Sequence, residues 1–415
     1  MKVGRASSFH LTYCTNVHPG ERWEATFENL KTYVPELKRQ LSPEAPFGVG
    51  LRLSNRAARE LLQNNRLSRF KRWLDEQRLY VFTINGFPYG HFHRQVVKDR
   101  AYAPDWRTRD RVDYTLHLVR ILAALLPSDM EGSISTSPLS YKPWLNEEAA
   151  RQDAFRKGSV HLADVAAELV RLRERTDTLL HIDLEPEPDC LIEDAAETVS
   201  FVEDWLLPVG GAHLAEQLGV SQEEAANHLL RHIRVCYDTC HFAVEYEDPE
   251  TALARLKDAG IRLGKMHLSA ALKVPLPEQT TGRREVGERL RPLAEATYLH
   301  QVIERRTDGR FHRYPDLPVA LDHIQREEAC EWRIHYHVPL FMERYGALLS
   351  TQSDLLESLA WVRREKTPPH LEIETYTWDV LPSDMKETSL LDSIRREYDW
   401  VLSCLERPSE RAPHE

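Results

Sequence analysis

The chain has 415 residues, 42% hydrophobic and 29% charged, the balance of a folded globular enzyme rather than of a disordered or membrane-embedded chain. Its formal net charge of −11 argues against duplex nucleic acid as a partner, because such binding rests on a basic surface that neutralises phosphates. No run approaches the ~20 apolar residues that span a bilayer, and the opening Met1-Lys2-Val3-Gly4-Arg5 lacks the apolar core of a secretory signal, so a cytoplasmic location is expected.

In chain order, short apolar runs alternate with amphipathic segments. A strand is predicted over 9–14, then a helix over 23–40 with Leu30, Tyr33, Val34 and Leu37 on one face. A second strand over 47–53 precedes a helix over 56–76. A third strand over 79–84 opens into a loop over 85–106 rich in Gly, Pro and aromatics, and helix 108–126 closes at Pro127. The fourth strand is predicted over 132–136, the fifth over 179–184 after helix 162–176, and the sixth over 233–238 after helices 193–206 and 221–232. Helix 249–259 leads to the seventh strand, 262–268; helix 354–364 leads to the eighth, 370–375; helix 387–405 closes the chain.

Eight strand–helix units imply parallel pairing and an α/β fold, a (β/α)8 TIM barrel with its chemistry at the C-terminal strand ends. The rival is an open doubly wound sheet, but Cys14-Thr15-Asn16-Val17-His18-Pro19-Gly20 is no Gly-rich dinucleotide turn. Residues 270–338 break the rhythm as a long insertion between the seventh and eighth strands, expected to form a lid or pocket region. It carries Arg283, Arg284, Arg305, Arg306, Arg310 and Arg313. Residues 1–405 read as a single barrel domain and 406–415 as a disordered tail. Six cysteines without a C-x-x-C pair suit a reducing compartment, and Cys236 and Cys240 are expected to pack rather than ligate.

Four strand ends carry a carboxylate or an imidazole. In Leu180-His181-Ile182-Asp183-Leu184-Glu185, alternation turns His181, Asp183 and Glu185 into the barrel, and in Leu371–Tyr376 it turns Glu372 and Glu374 inward. Asp238 ends the sixth strand and His267 sits at the end of the seventh. Buried carboxylates facing one another call for a cation between them. Glu185, Asp238, His267 and Glu374 make an O,O,O,N set suited to Mn²⁺, Mg²⁺ or Co²⁺ and compatible with Zn²⁺. His241, His335 and His337 are candidates for a second ion or for substrate contacts, and His93 and Lys98 for substrate binding.

These residues resemble the xylose-isomerase-like TIM-barrel superfamily, which takes in sugar isomerases and epimerases and the endonuclease IV type of AP endonuclease. Tyr237-Asp238-Thr239-Cys240-His241 resembles its D-T-x-H element, Leu184-Glu185-Pro186 the L-E-P element of ketose 3-epimerases, Met266-His267-Leu268-Ser269 their H-x-S strand end, and Ile373-Glu374-Thr375-Tyr376 their terminal I-E-S-F. The resemblance implies Glu185, Asp238, His267 and Glu374 as metal ligands, with Glu185 and Glu374 doubling as the acid/base pair. Leu11–Gly20, Asn85–Gly90, Tyr102–Trp106, Gly132–Thr136 and His335–Phe341 are similar to EboE-type metabolite traffic proteins, a family tied to secondary metabolism.

The expected function is a metal-dependent isomerase or epimerase of a sugar-like or cyclitol-like polyol, with or without a phosphate, acting by enediolate proton transfer. A phosphodiesterase of the AP-endonuclease kind is the rival enzyme. Its three-zinc cluster uses a histidine after the fourth strand, and residues 132–144 contain none, while His335 and His337 resemble its D-x-H element with His replacing Asp. A non-catalytic metabolite carrier is the third reading.

Overall fold

The computed structural model describes residues 1–4, 9–382, 386 and 388–406. Eight parallel strands form the barrel: β1 (Phe9–Tyr13), β2 (Phe47–Arg52), β3 (Leu79–Asn85), β4 (Gly132–Thr136), β5 (Leu180–Leu184), β6 (Ile233–Asp238), β7 (Leu263–Leu268) and β8 (His370–Ile373). Neighbours pair in sequence order from β2 to β8, and β8 pairs with β1. The seam between β1 and β2 is held by the Cys14–Gly50 bridge and by Thr12, whose Oγ1 donates to Gly48 O and accepts from Gly50 N at 3.1 and 2.7 Å. Helices cover the outside, and the expected TIM barrel is the fold of the chain.

Most expected elements fall within a few residues of their observed ends, and the departures have local causes. The predicted helix 56–76 is two helices, Asn55–Leu61 and Arg66–Gln77. Asn64 and Asn65 between them both adopt positive φ, a conformation asparagine tolerates and a helix does not. The helix predicted from 162 starts at Glu148 and runs 29 residues to Thr176. The helix predicted over 193–206 passes at Val202 into a π-helical stretch around Pro208, whose missing N–H breaks the regular ladder, and continues as helix to Leu218. Of the expected tail, residues 407–415 lie outside the described residues, and the closing helix spans Leu390–Glu406.

The insertion builds its own antiparallel sheet, in the order Phe311–Tyr314, Val302–Arg306, Ala329–Ile334, Leu272–Pro275, Leu348–Ser350, Arg344–Tyr345. It therefore extends to Ser350, twelve residues beyond the expected limit of 338. Beyond Ile334 the chain crosses to the barrel mouth, where Val338 N donates to Ala270 O at 2.9 Å, and this step delivers His335 and His337 to the site.

A TIM barrel interior is ordinarily filled by branched apolar side chains. Here it is polar: His181, Asp183, Lys265, His267, Glu372 and Glu374 are all buried inside. Glycines make the room. A Cβ on Gly264 would run into Asp183 Oδ1, and one on Gly50 into Glu372 Oε1.

The closing helix yields a prediction independent of the site. Glu397 is buried, accepting from Thr375 Oγ1 at 2.7 Å and from Leu340 N at 3.3 Å, and burial pushes its carboxyl from 4.5 up to about 7. Between those values the native protein holds a proton that the unfolded chain has released, so this group costs stability as pH rises through that window. Glu397→Gln keeps an acceptor without a charge. It is expected to gain on the order of 3 kcal/mol over wild type at pH 8 and little at pH 4.5, at about 1.4 kcal/mol per tenfold difference in proton affinity. Denaturant unfolding at both pH values checks this, and a gap independent of pH would refute it.

Candidate metal centre

Each candidate ligand in the barrel is set by the end of its strand. Glu185 follows β5, its N–H donating to Thr136 O at 3.0 Å. Asp238 ends β6 and caps the short helix Thr239–Val244: its Oδ1 accepts from Cys240 N (2.8 Å), His241 N (3.2 Å) and Ser269 Oγ (2.6 Å). Glu374 follows β8, its N–H bonded to Leu268 O at 3.0 Å and its Oε1 accepting from the amides of Asn16 (2.8 Å) and Asn85 (2.9 Å). His267 on β7 stands among them, Nδ1 at 3.0 Å from Glu185 Oε1, 3.3 Å from Glu374 Oε2 and 3.5 Å from Asp238 Oδ2.

One ligand atom from each of Glu185, Asp238, His267 and Glu374 lies within 4.8 Å of every other, and all four residues are buried. Asp238 Oδ2 and Glu185 Oε2 have no hydrogen-bond partner among the described residues. Orphaned carboxylate oxygens at this depth are costly unless a cation neutralises them, so the residues fit a divalent ion. Burial alone would raise Asp238, but the imidazoles of His241, His337 and His267 outweigh it and hold the group well below the carboxylate range. Glu374 goes the other way: burial pushes it well up, the charges of Glu185, Asp238 and Glu372 add to the rise, and His267 offsets only part. Burial would likewise lift Glu372, but the Lys265 ammonium and His267 bring it down to about 2.

The three further histidines form one cluster beside this set. His241, His335 and His337 pack with ring centroids 4.7–5.7 Å apart. Each turns Nδ1 to an acceptor: Pro186 O for His241 (2.9 Å), Gln301 Oε1 for His335 (2.8 Å) and Glu374 O for His337 (2.9 Å). Nε2 of His335 and of His337 has no hydrogen-bond partner among the described residues. Donating one ring nitrogen to a fixed acceptor and presenting the other is the posture of a metal-ligating histidine. Asp238, His241 and His337 form a second set of ligand atoms within 4.8 Å, and Glu187, His241 and His335 a third.

Glu187 was not singled out by its position in the sequence. It is buried, accepts from Tyr102 Oη at 2.9 Å, and is pushed up to about 8, chiefly by burial. Nor were Asn16 and Asn85, which orient Glu374 from loops far apart in the chain. Cys236 and Cys240 are buried; the Cys236 thiol lies within 4.8 Å of ligand atoms of Glu185 and His267, and the Cys240 thiol as near to those of His335 and His337.

A cleft opens over this four-residue set, lined by Asn16, Asn85, Glu185, Glu187, His241, His335 and Glu374 and walled by Phe87, Phe92, Tyr102, Tyr298 and Tyr376. The insertion contributes Tyr298, Leu299 and His335 to it. Two expected substrate contacts sit differently. Lys98 lines the rim, but its ammonium is bound to Asp316 Oδ2 at 2.6 Å and to Glu295 O at 3.2 Å. His93 is buried near Arg52 outside the cleft lining, where burial and that charge lower it to about 3. Two of the insertion arginines are also engaged elsewhere: Arg283 donates to Arg326 O and Ala329 O at 2.6 and 2.7 Å, and Arg313 pairs with Glu245 at 2.5 Å.

Among the described residues no helix is long and apolar enough to cross a membrane. No family model and no curated protein matches the chain. Solved structures do. A xylose isomerase-like TIM barrel protein from Mycobacterium smegmatis in complex with magnesium is 10% identical, with a TM-score of 0.50 over 96% of this chain and 97% of that one. A D-tagatose 3-epimerase-like protein is 10% identical over 95% and 98% (TM-score 0.47), and the IolI protein with a bound zinc atom 11% over 96% and 98% (TM-score 0.46). At such identities the likeness speaks to architecture alone: the chain shares the TIM-barrel fold.

Proposed function

We propose that the protein is a divalent-metal-dependent isomerase or epimerase of a sugar-like or cyclitol-like polyol, working by proton transfer at a carbon next to a carbonyl. The observation that carries this reading is the convergence of Glu185, Asp238, His267 and Glu374 within 4.8 Å, buried, with two carboxylate oxygens left without protein partners. Glu185, Asp238, His267 and Glu374 would hold a divalent ion, which would supply positive charge against the negative charge that develops on a substrate oxygen. Glu185 and Glu374 stand at the cleft, one to take the carbon-bound proton and the other to return one. Asn16 and Asn85 fix the Glu374 carboxylate for that task. The aromatic walls exclude water and offer apolar faces to a sugar-like ring. With Lys98 bound to Asp316, a substrate without a phosphate suits the cleft better. Residues 1–405 act as one domain, and the six free cysteines suit a cytoplasmic setting. The resemblance of five segments to EboE-type proteins supports a substrate drawn from secondary metabolism.

The test is a panel of ketoses and cyclitols incubated with the ion-loaded protein in deuterated water. Incorporation of deuterium at a carbon next to a carbonyl is expected for at least one of them. No exchange into any would count against proton abstraction.

The histidine cluster favours a second reading, a metal-dependent phosphodiesterase in which a further ion would sit with Asp238, His241 and His337 or with Glu187, His241 and His335. Nicking of duplex DNA containing an abasic site is its direct assay. Nicking that disappears in a His335→Ala, His337→Ala variant would displace the isomerase reading, and intact DNA is expected.

A further inference from the structure

Below the four converging ligands lies a layer that the proposed reaction does not use. Lys265 and Glu372 each sit two residues before a ligand, His267 and Glu374, on the same inward rows of β7 and β8. Lys265 Nζ is 2.8 Å from Glu372 Oε2, and both side chains are fully shielded from solvent. The ammonium also reaches Ser135 Oγ at 3.2 Å. The same Glu372 Oε2 accepts from His267 Nε2 at 3.0 Å, and Gly50, with no Cβ, leaves the space Glu372 fills.

The chemistry of this arrangement is directional. An ionised carboxylate only accepts hydrogen bonds, so Glu185 beside Nδ1 and Glu372 beside Nε2, each at 3.0 Å, both favour a ring proton; a cation ligated through Nδ1 leaves that proton to Nε2, where Glu372 accepts it. Nδ1 is then turned toward Glu185, Glu374 and Asp238. A buried ion pair is a poor way to gain stability, since apolar residues of similar volume often serve as well or better. Its presence here is accounted for by what it orients.

We propose that Glu372, held in place by Lys265, is a positioning residue that fixes the ring orientation and tautomer of His267 so that Nδ1 faces the cation site. The inference rests on the reading of Glu185, Asp238, His267 and Glu374 as ligands. Outer partners of ligating histidines typically change metal affinity by about 10–100-fold when removed.

Replacing Glu372 alone would strand the Lys265 charge, so the pair is changed together. Lys265→Met/Glu372→Gln keeps a neutral acceptor for His267; Lys265→Met/Glu372→Leu removes it. Two quantities are read on the full chain: Zn²⁺ affinity by competition with a chelator, and the His267 Nε2–H signal in side-chain ¹H–¹⁵N spectra with and without Zn²⁺. The Leu variant is expected to bind Zn²⁺ about 10–100-fold more weakly and to lose the protected Nε2–H signal. The Gln variant should keep the signal and most of the affinity. Wild-type affinity and an unchanged signal in the Leu variant would overturn the proposal, as would equal losses of affinity in both variants with the signal intact. If the Leu variant does not fold, the wild-type spectrum decides: a His267 ring protonated at Nδ1 and bare at Nε2 refutes the hold. If wild type takes up no Zn²⁺, the ligand reading falls instead, and the Nε2–H signal alone judges the role of Glu372.

Discussion

Glu374→Gln is expected to lower deuterium exchange into the substrate by about 10²–10⁴-fold, the usual contribution of a positioned acid or base, while the protein stays folded. The substitution is nearly isosteric. Glu374 Oε1 accepts from Asn16 and Asn85, and a glutamine oxygen can accept the same two bonds. What is lost is the ability to take up and release a proton, and the carboxyl oxygen facing His267 at 3.3 Å. Exchange measured at an ion concentration high enough to load the variant separates the chemical loss from weaker ion binding. A passive carrier would keep its ligand and its cellular role in this variant. Exchange within threefold of wild type would remove Glu374 from the chemistry.

The second large effect is expected from Asp238→Asn, read as ion-dependent stability. Asp238 splits its labour: Oδ1 is saturated by Cys240 N, His241 N and Ser269 Oγ, and Oδ2 has no hydrogen-bond partner among the described residues. Asparagine keeps the Oδ1 acceptor that caps the helix at Thr239 and replaces the free oxygen with a donor of no use to a cation. An ion present at 100 times its dissociation constant stabilises the native protein by about 2.7 kcal/mol. If Asp238→Asn weakens binding about 100-fold, as even an outer partner of a ligand can, the same ion concentration gives only about 0.4 kcal/mol. Unfolding with and without ion measures both numbers. An equal gain in wild type and variant would take Asp238 out of the ligand set.

The barrel was legible because its strands carry a two-residue alternation that survives in the sequence. That pattern turns Glu185, Glu372 and Glu374 inward, and the structure buries all three. Loop partners left no such trace. Asn16 and Asn85 meet Glu374 across 358 and 289 residues, and nothing local marks an asparagine as the holder of a distant carboxylate. Lys265 precedes His267 by two positions, so its inward direction was readable, but its pairing with Glu372 depends on which strands lie side by side. The sequence leaves Lys98 open for substrate binding because its partner, Asp316, is 218 residues away. The helix over 56–76 was overextended because apolar spacing continues through Asn64 and Asn65, whose backbone breaks it. The insertion was bounded too early because Arg344–Tyr345 and Leu348–Ser350 are too short to register as strands until they pair beside Leu272–Pro275.

The most direct measurement is the metal content of protein purified without chelators, beside a Glu185→Gln, Asp238→Asn, His267→Gln variant. About one equivalent of manganese, cobalt or magnesium in wild type, lost in the variant, is the expected result for this O,O,O,N set. Two or three equivalents of zinc would bring in His241, His335 and His337 and favour the hydrolytic reading. No ion in wild type, even after reconstitution, would contradict a metal-dependent enzyme outright.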